Sequence, residues 1–375
     1  MKIAHISDSH LGYAQYNLVE RKTDFFTAFE QAIDKIIKAN VDLVIHTGDL
    51  FESPQPDMIS LSKTIKQFRR LKEKNIPVVA ITGNHDRTLR KGRIPPQKIL
   101  EDLGLLHLIS PYGEKVFGDL YIAGIQFMTK NHLSELREKI FPSFSERAAK
   151  YKYSIFMCHQ GISPYLPFEG AAEMNMSDLP KEFTYYAGGH IHNFIHNTTE
   201  KFFSYAGVTE FRTAKEAETT NRGFNIIDLK AKSLQRVELE NLRKFLTITI
   251  EESENESQKL EEITEKASSC AEPPIVIIKY LYKEKPFSET TALKKLKGNT
   301  LIVRILQKNI SRKESEKIQN TTSIEEIVKK YFKDKKKSVQ DLSVELAISS
   351  IEHTEEILLK FLEEKTGLKI TFLNF

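Results

Sequence analysis

Five short stretches of the 375-residue sequence set imidazoles, carboxylates and an amide where an apolar run stops: Asp8-Ser9-His10, Gly48-Asp49, Gly83-Asn84-His85-Asp86, Cys158-His159-Gln160 and Gly188-Gly189-His190-Ile191-His192. Such mixed nitrogen and oxygen donors suit manganese, iron or zinc better than magnesium or calcium. Seven groups of this kind crowd a single ion, whereas two ions sharing one carboxylate would use them all. Asp49, which stands alone after a glycine that allows a tight turn, is the natural bridge. Asn84 and His85 gain nothing from burial at the end of a strand. An amide can bind a cation without adding charge, and an imidazole that no metal needs can handle a proton. Asp86 has two readings, orienting His85 or capping a helix N-terminus. His5 and His46 lie inside apolar strands and read as core histidines; Cys158 reads as a small buried side chain.

Those residues need a scaffold that brings distant segments together. "KIAHIS" (2–7), "DLVIHTGD" (42–49) and "PVVAITGNHD" (77–86) read as strands. Between them Phe25, Phe29, Ile33 and Ile37, then Leu61, Ile65 and Phe68, recur at helical spacing. Near-continuous apolar strands alternating with helices predict a mostly parallel sheet, whose ligands bind at the strands' carboxyl ends. From about residue 120 the sequences "LYIAGIQF", "YSIFMCHQG", "YYAGGHIH", "FFSYAGVTE" and "RGFNIIDLK" predict a second sheet packed on the first, with one helical stretch near 131–150. The expected class is α/β: a two-sheet sandwich flanked by helices over 1–235, a small α+β unit over 236–318 and a helical segment over 319–375. In that last segment Ser323 and Glu326 form a capping-box pattern ahead of an amphipathic stretch. A flexible joint is expected near 312–322.

Composition narrows the function without choosing it. With 40% apolar and 28% charged residues the chain reads as globular, and no apolar stretch is long enough to span a bilayer. The N-terminus enters a strand at once, which leaves no room for a secretion signal. Two distant cysteines suggest a reducing, intracellular setting, expected to be cytoplasmic and nucleoid-associated. A net charge of +4 is too small to announce a nucleic-acid ligand, which shows instead as local clustering.

Taken in order, the D-x-H, G-D, G-N-H-D, H and G-H-x-H motifs resemble those of the calcineurin-like metallophosphoesterase superfamily across roughly residues 1–230. "DSHLGYAQYN", "GDLFESPQP", "CHQGISPY" and "GGHIH" resemble in particular the archaeal-type double-strand-break repair nuclease that works with an SMC-like coiled-coil ATPase. The resemblance implies two Mn ions: Asp8, His10, Asp49 and His192 around one, and Asp49, Asn84, His159 and His190 around the other. It makes His85 the catalytic histidine that binds no metal. Two metals about 3.5–4 Å apart polarise a phosphodiester, activate a water for in-line attack and stabilise the leaving oxygen. One departure stands out: some relatives carry a histidine just after G-D-L-F, thought to position the phosphate for exonuclease cutting, where this chain has Glu52.

For a DNA substrate the candidates are Tyr13, Tyr16, Asn17 and Arg21 after His10, and Arg87, Arg90, Lys91 and Arg93 after His85. Basic and aromatic side chains beside a phosphate-cleaving centre can grip backbone without reading bases; a solvated surface loop is the other reading. The resemblance further implies 3′→5′ exonuclease activity on double strands, endonuclease activity on single strands, a homodimer, and a heterotetramer with the ATPase docked on the C-terminal helices. Two rivals remain: a two-metal phosphoesterase acting on another substrate, and a scaffold without catalysis.

Overall fold

The computed structural model describes residues 1–88, 92–166 and 172–310. Strands β1 (Lys2–Ile6), β2 (Leu43–Thr47), β3 (Val78–Ile81) and β4 (His107–Ile109) pair in parallel in that order. Helices α1 (Val19–Ala39), α2 (Met58–Glu73) and α3 (Pro96–Asp102) make the crossovers. Alternate side chains along a strand face opposite ways, and here both faces are apolar. Ala4, Ile6, Val44, Val78 and Ala80 meet Phe29, Ile33, Phe68 and Leu71 of the helices. Ile3, Ile45, Val79 and Ile81 face the other way, onto Ile122, Ile155, Met157 and Ala187 of a second sheet.

That second sheet comprises β5 (Tyr112–Phe117), β6 (Leu120–Ile125), β7 (Tyr153–His159), β10 (Tyr185–Gly189), β11 (Ile195–Asn197) and β12 (Phe203–Tyr205), in the order β11-β12-β10-β7-β6-β5. The short strands β8 (Ile162–Ser163) and β9 (Met174–Asn175) pair separately. The helical stretch near 131–150 is two helices, α4 (Lys130–Lys139) and α5 (Phe141–Ala148), with Pro142 in the first turn of the second. Proline fits there because a first-turn N–H has no intrahelical partner. Leu133, Leu136, Phe141 and Phe144 of this pair cover the outer face of the second sheet.

One expected placement is corrected. "RGFNIIDLK" forms β13 (Gly223–Asp228), which pairs antiparallel with β1 and so joins the first sheet. β14 (Ser233–Glu238) then pairs with β13. The free edge of β1 is what they complete. A short helix, α6 (Ala214–Thr219), precedes them. Beyond residue 242 a three-stranded parallel sheet, β15 (Phe245–Glu251), β16 (Ile275–Tyr282) and β17 (Ile302–Asn309), carries α7 (Glu256–Ser268) and α8 (Glu289–Leu296) around its own core of Ile250, Leu260, Ile263, Ile278 and Tyr280. The expected helices of 319–375, with the basic run "KKYFKDKKK", lie outside the described residues. Among the described residues no helix is long and apolar enough to cross a membrane.

His5 and His46 are both core histidines. Between the two sheets His5 Nδ1 lies 2.6 Å from Tyr185 Oη and its Nε2 3.0 Å from Thr47 Oγ1. Ser204 and Asn225 extend this chain of hydrogen bonds. Burial first, then the nearby His46 and Arg236, hold the His5 pKa down from 6.5 to about 3. Below pH 6.5 the unfolded chain therefore takes up a proton that the native state refuses until about pH 3, and stability falls as pH drops through that window. His5→Gln is expected to flatten the pH dependence of stability there by up to about 1.4 kcal/mol per pH unit, one proton's worth. Urea unfolding of both proteins between those pH values measures it; equal slopes would show that His5 is not the source.

Candidate metal centre

All five polar stretches lie at the carboxyl ends of β1, β2, β3, β7 and β10, the edge where ligands bind in parallel sheets. The segments after β1 and β2 run side by side: Asp8 N donates to Gly48 O at 3.1 Å, His10 N to Asp49 O at 3.0 Å and Leu11 N to Leu50 O at 2.9 Å. Asp8, His10, Asp49 and His190 hold φ values of 48°, 44°, 51° and 87°. Residues with a Cβ occupy that region at a cost of roughly 1–2 kcal/mol each, and such strain gathers where a site over-determines its backbone. Gly48 has φ 97°, and a Cβ there would overlap the His159 ring. A Cβ at Gly83 would overlap the Asp49 carboxylate. Both glycines let backbone approach the side chains of the site.

The seven expected ligands fall into two groups that meet at one oxygen. Asp49 Oδ2 is 3.3 Å from His159 Nε2 and 3.9 Å from His10 Nε2. On one side His10 Nε2 and His192 Nε2 are 3.3 Å apart, with Asp8 Oδ1 3.8 Å from His192 Nε2. On the other, Asn84 Oδ1 is 3.1 Å from both His159 Nε2 and His190 Nδ1. The second Asp49 oxygen, Oδ1, accepts the His85 N–H at 2.8 Å, which leaves Oδ2 facing both groups.

What stands behind the imidazoles sets their tautomers. His159 Nδ1 lies 2.7 Å from Thr47 O, and His192 Nδ1 lies 3.0 Å from Glu216 Oε1. His10 Nδ1 is 2.9 Å from Glu52 Oε2 but without hydrogen-bond geometry, so both atoms are buried without a hydrogen-bond partner. With acceptors behind the Nδ1 atoms of His159 and His192, their Nε2 atoms turn towards one space, as in sites where an acceptor behind a metal-bound histidine fixes its tautomer. Burial holds His190 near a pKa of 3, helped by His159, and burial with Arg212 holds His10 well below its ordinary value. Burial alone would also lower His159, but the Asp49 carboxylate outweighs it and lifts the group to about 9. Burial raises Asp8; for Asp49 it is overcome by His159 and His10, which hold that carboxyl well down. A divalent cation requires neutral imidazoles, so its binding would displace the proton that the Asp49 carboxylate holds on His159. A dinuclear centre fits these residues: Asp8, His10, Asp49 and His192 could hold one ion, and Asp49, Asn84, His159 and His190 the other.

A family model described as calcineurin-like phosphoesterase matches residues 1–194. The chain belongs to the calcineurin-like phosphoesterase family. It is 34% identical over 358 residues to the DNA double-strand break repair protein Mre11 of Methanococcus maripaludis, covering 90% of this chain and 92% of that one. The Mre11 protein of Methanocaldococcus jannaschii is 33% identical over 315 residues, 81% of this chain and 83% of its own. That of Sulfolobus acidocaldarius is 41% identical over 194 residues, 52% and 50% of the two chains.

His85 lies beside the first group, its ring centroid 4.9 Å from that of His10. Its Nδ1 is 3.3 Å from Glu52 O. Burial lowers its pKa although Asp49 pulls the other way. Asp86 neither orients His85 nor caps a helix. Its buried carboxylate accepts from Leu50 N at 2.7 Å, Phe51 N at 3.2 Å and Gly83 N at 2.8 Å, and also from the Gln97 amide. Tyr13 and Tyr16 are half-buried and Asn17 is exposed; Arg87 leans on the Phe127 ring at 4.6 Å and donates to Phe127 O. Arg90 and Lys91 lie outside the described residues. Two residues at the site went unread in the sequence, Arg212 and Glu216. Thr213 and Glu216 do carry a T-x-x-E helix-start pattern, and Thr213 caps α6. The Glu216 carboxylate instead reaches His192 and the Arg212 N–H.

Arg21 is a correction. It is fully buried, and its guanidinium donates to Gln15 at 2.9 Å, Asp24 at 2.6 Å, Glu210 at 3.2 Å and Phe211 O at 2.8 Å. It cannot grip a nucleic-acid backbone, because partners up to 190 residues away in sequence enclose it. Removing one member of a buried ionic network costs about 3–5 kcal/mol. Arg21→Met is expected to cost near the lower figure, since Glu210 keeps Arg222 and Asp24 keeps Arg243. Urea unfolding at neutral pH measures the loss, and an unchanged midpoint would contradict this account.

Proposed function

We propose that the chain is a manganese-dependent DNA nuclease of double-strand-break repair, with 3′→5′ exonuclease and single-strand endonuclease activity, acting as a homodimer with a coiled-coil ATPase. The observation that carries the reading is the shared position of Asp49 Oδ2 between two donor groups. The DNA substrate rests on the relatives, which are DNA double-strand break repair proteins, and on the phosphoesterase family. Manganese rests on the mixture of imidazole, carboxylate and amide donors. The homodimer and the ATPase partner rest on the resemblance to the repair nucleases.

Two bound cations would polarise the phosphodiester and supply an activated water for in-line attack. The chain's residues do the rest. Asp8, His10 and His192 hold one position, Asn84, His159 and His190 the other, and Asp49 ties them. Asn84 binds through a neutral carbonyl oxygen, so the centre keeps more positive charge to meet a phosphate than a third carboxylate would leave. His85, held through Nδ1 against Glu52 O, can protonate or steady the leaving oxygen through Nε2 once that nitrogen has taken up a proton. Tyr13, Tyr16, Asn17 and Arg87 are the groups best placed in sequence to meet the backbone, with Arg90 beside them in the chain.

Labelled duplex and single-stranded DNA incubated with the full chain, with Mn or Mg and with or without a chelator, test the reading. Cleavage should require Mn and stop with the chelator. Hydrolysis of a small phosphodiester without any cleavage of DNA would overturn the nuclease and leave a phosphoesterase of other substrate. His85→Gln is expected to keep two Mn per chain by elemental analysis while cleavage falls about 10²–10⁴-fold, the range of a lost proton-transfer group. Asp49→Ala is expected to bind at most one Mn per chain and to lose cleavage.

A further inference from the structure

The roles above leave Arg212, a cation among the described residues of the site, unused. Arg212 lies between β12 and α6, and both its main chain and its side chain are fixed. Glu216 Oε2 accepts its peptide N–H at 2.7 Å, and the Gln15 amide donates to its carbonyl. Its Nη2 donates to Glu52 Oε1 at 2.8 Å, and its Nη1 lies 3.3 Å from His85 Nε2. The guanidinium carbon sits 4.9 Å from the centre of the Tyr13 ring, and the side chain keeps 21% of its exposure.

This placement costs something. A guanidinium beside His10 and His85 opposes the binding of divalent cations a few ångströms away, and Glu52 offsets only part of that charge. Glu52 engages one of the five N–H donors that a guanidinium carries. Among the described residues Glu52 is the one carboxylate within ion-pair distance of the Arg212 guanidinium. His10, Glu52 and His85 also come close enough to suggest a third cation position, but the guanidinium against Glu52 and His85 disfavours another positive charge there. What the arrangement fits is an anion with oxygens set for the planar fork of arginine, as phosphate oxygens are.

We propose that Arg212 binds the phosphate group of the substrate beside His85, with Glu52 as the positioning residue that aims the guanidinium. The inference deepens the phosphoesterase reading and rests on it. On arrival of a phosphate, Nη1 exchanges the imidazole Nε2 for a phosphate oxygen while Nη2 stays on Glu52, so the same movement frees the Nε2 lone pair to take a proton from water, which it can then pass to the leaving oxygen.

Titration calorimetry of inorganic phosphate into the Mn-loaded full chain, compared with R212Q and R212K, tests this. R212Q should weaken phosphate at least about tenfold, as expected for a lost charge-assisted hydrogen bond, while still holding two Mn per chain. R212K should recover affinity only in part, since an ammonium lacks the fork. With a small phosphodiester, R212Q should raise KM more than it lowers kcat, the mark of a contact made already in the ground state. Phosphate affinity within about twofold of the parent chain, well under the tenfold loss expected of a charged contact, would overturn the assignment. So would a folded R212Q that no longer keeps its Mn, because Arg212 would then support the metal centre and not the substrate. Phosphate affinity is read without DNA, so a parent chain that left DNA uncut would remove the nuclease reading and not this one.

Discussion

The site depends on one carboxylate serving several neighbours at once. Asp49 is buried between β2 and the second sheet, gives Oδ1 to the His85 N–H and turns Oδ2 towards His159 and His10. For that side chain to arrive there, the chain must reverse at Gly48, hold Asp49 itself in the left-handed region and pass Gly83 close enough that no Cβ would fit. Each condition concerns backbone more than side chain. The donor groups on either side would be two unrelated clusters if this loop relaxed into ordinary geometry.

A second tier of acceptors makes that geometry usable. Imidazoles confined away from water would rotate or take up protons in whatever way best met their neighbours. Here Thr47 O and Glu216 stand behind His159 and His192. Both come from segments distant from the histidine they face: Glu216 from α6 and Thr47 from the end of β2. The two-sheet architecture is thus what permits the wiring, because it packs the end of β2 against the ends of β7 and β10.

Much of this was legible in the residue order. Asp8, His10, Asp49, Asn84, His159, His190 and His192 each follow an apolar strand, and parallel strands send such ends to one edge. The charged residues were less legible. Arg21 stands in a polar loop-to-helix stretch and reads as surface, but what buries it is Glu210, 189 residues away. Arg212 has no local pattern at all. Glu216 has one, and it describes a helix start while the carboxylate serves a histidine in the loop after β10. Strand β13 alternates in a way that suits either sheet, and only the open edge of β1 decides between them. Asp86 follows His85 directly, which suggested a neighbourly role, yet its oxygens point the other way.

That carboxylate has a larger consequence. By accepting from Leu50, Phe51 and Gly83 together, Asp86 stitches the turn bearing Asp49 to the turn bearing Asn84 and His85. The two turns cannot drift independently, so the spacing between Asp49 and His85 is held by a third side chain that bonds the backbone behind them. Sequence variation in one turn is answerable to the other, and an engineer who wished to retune this centre would have to redesign both at once.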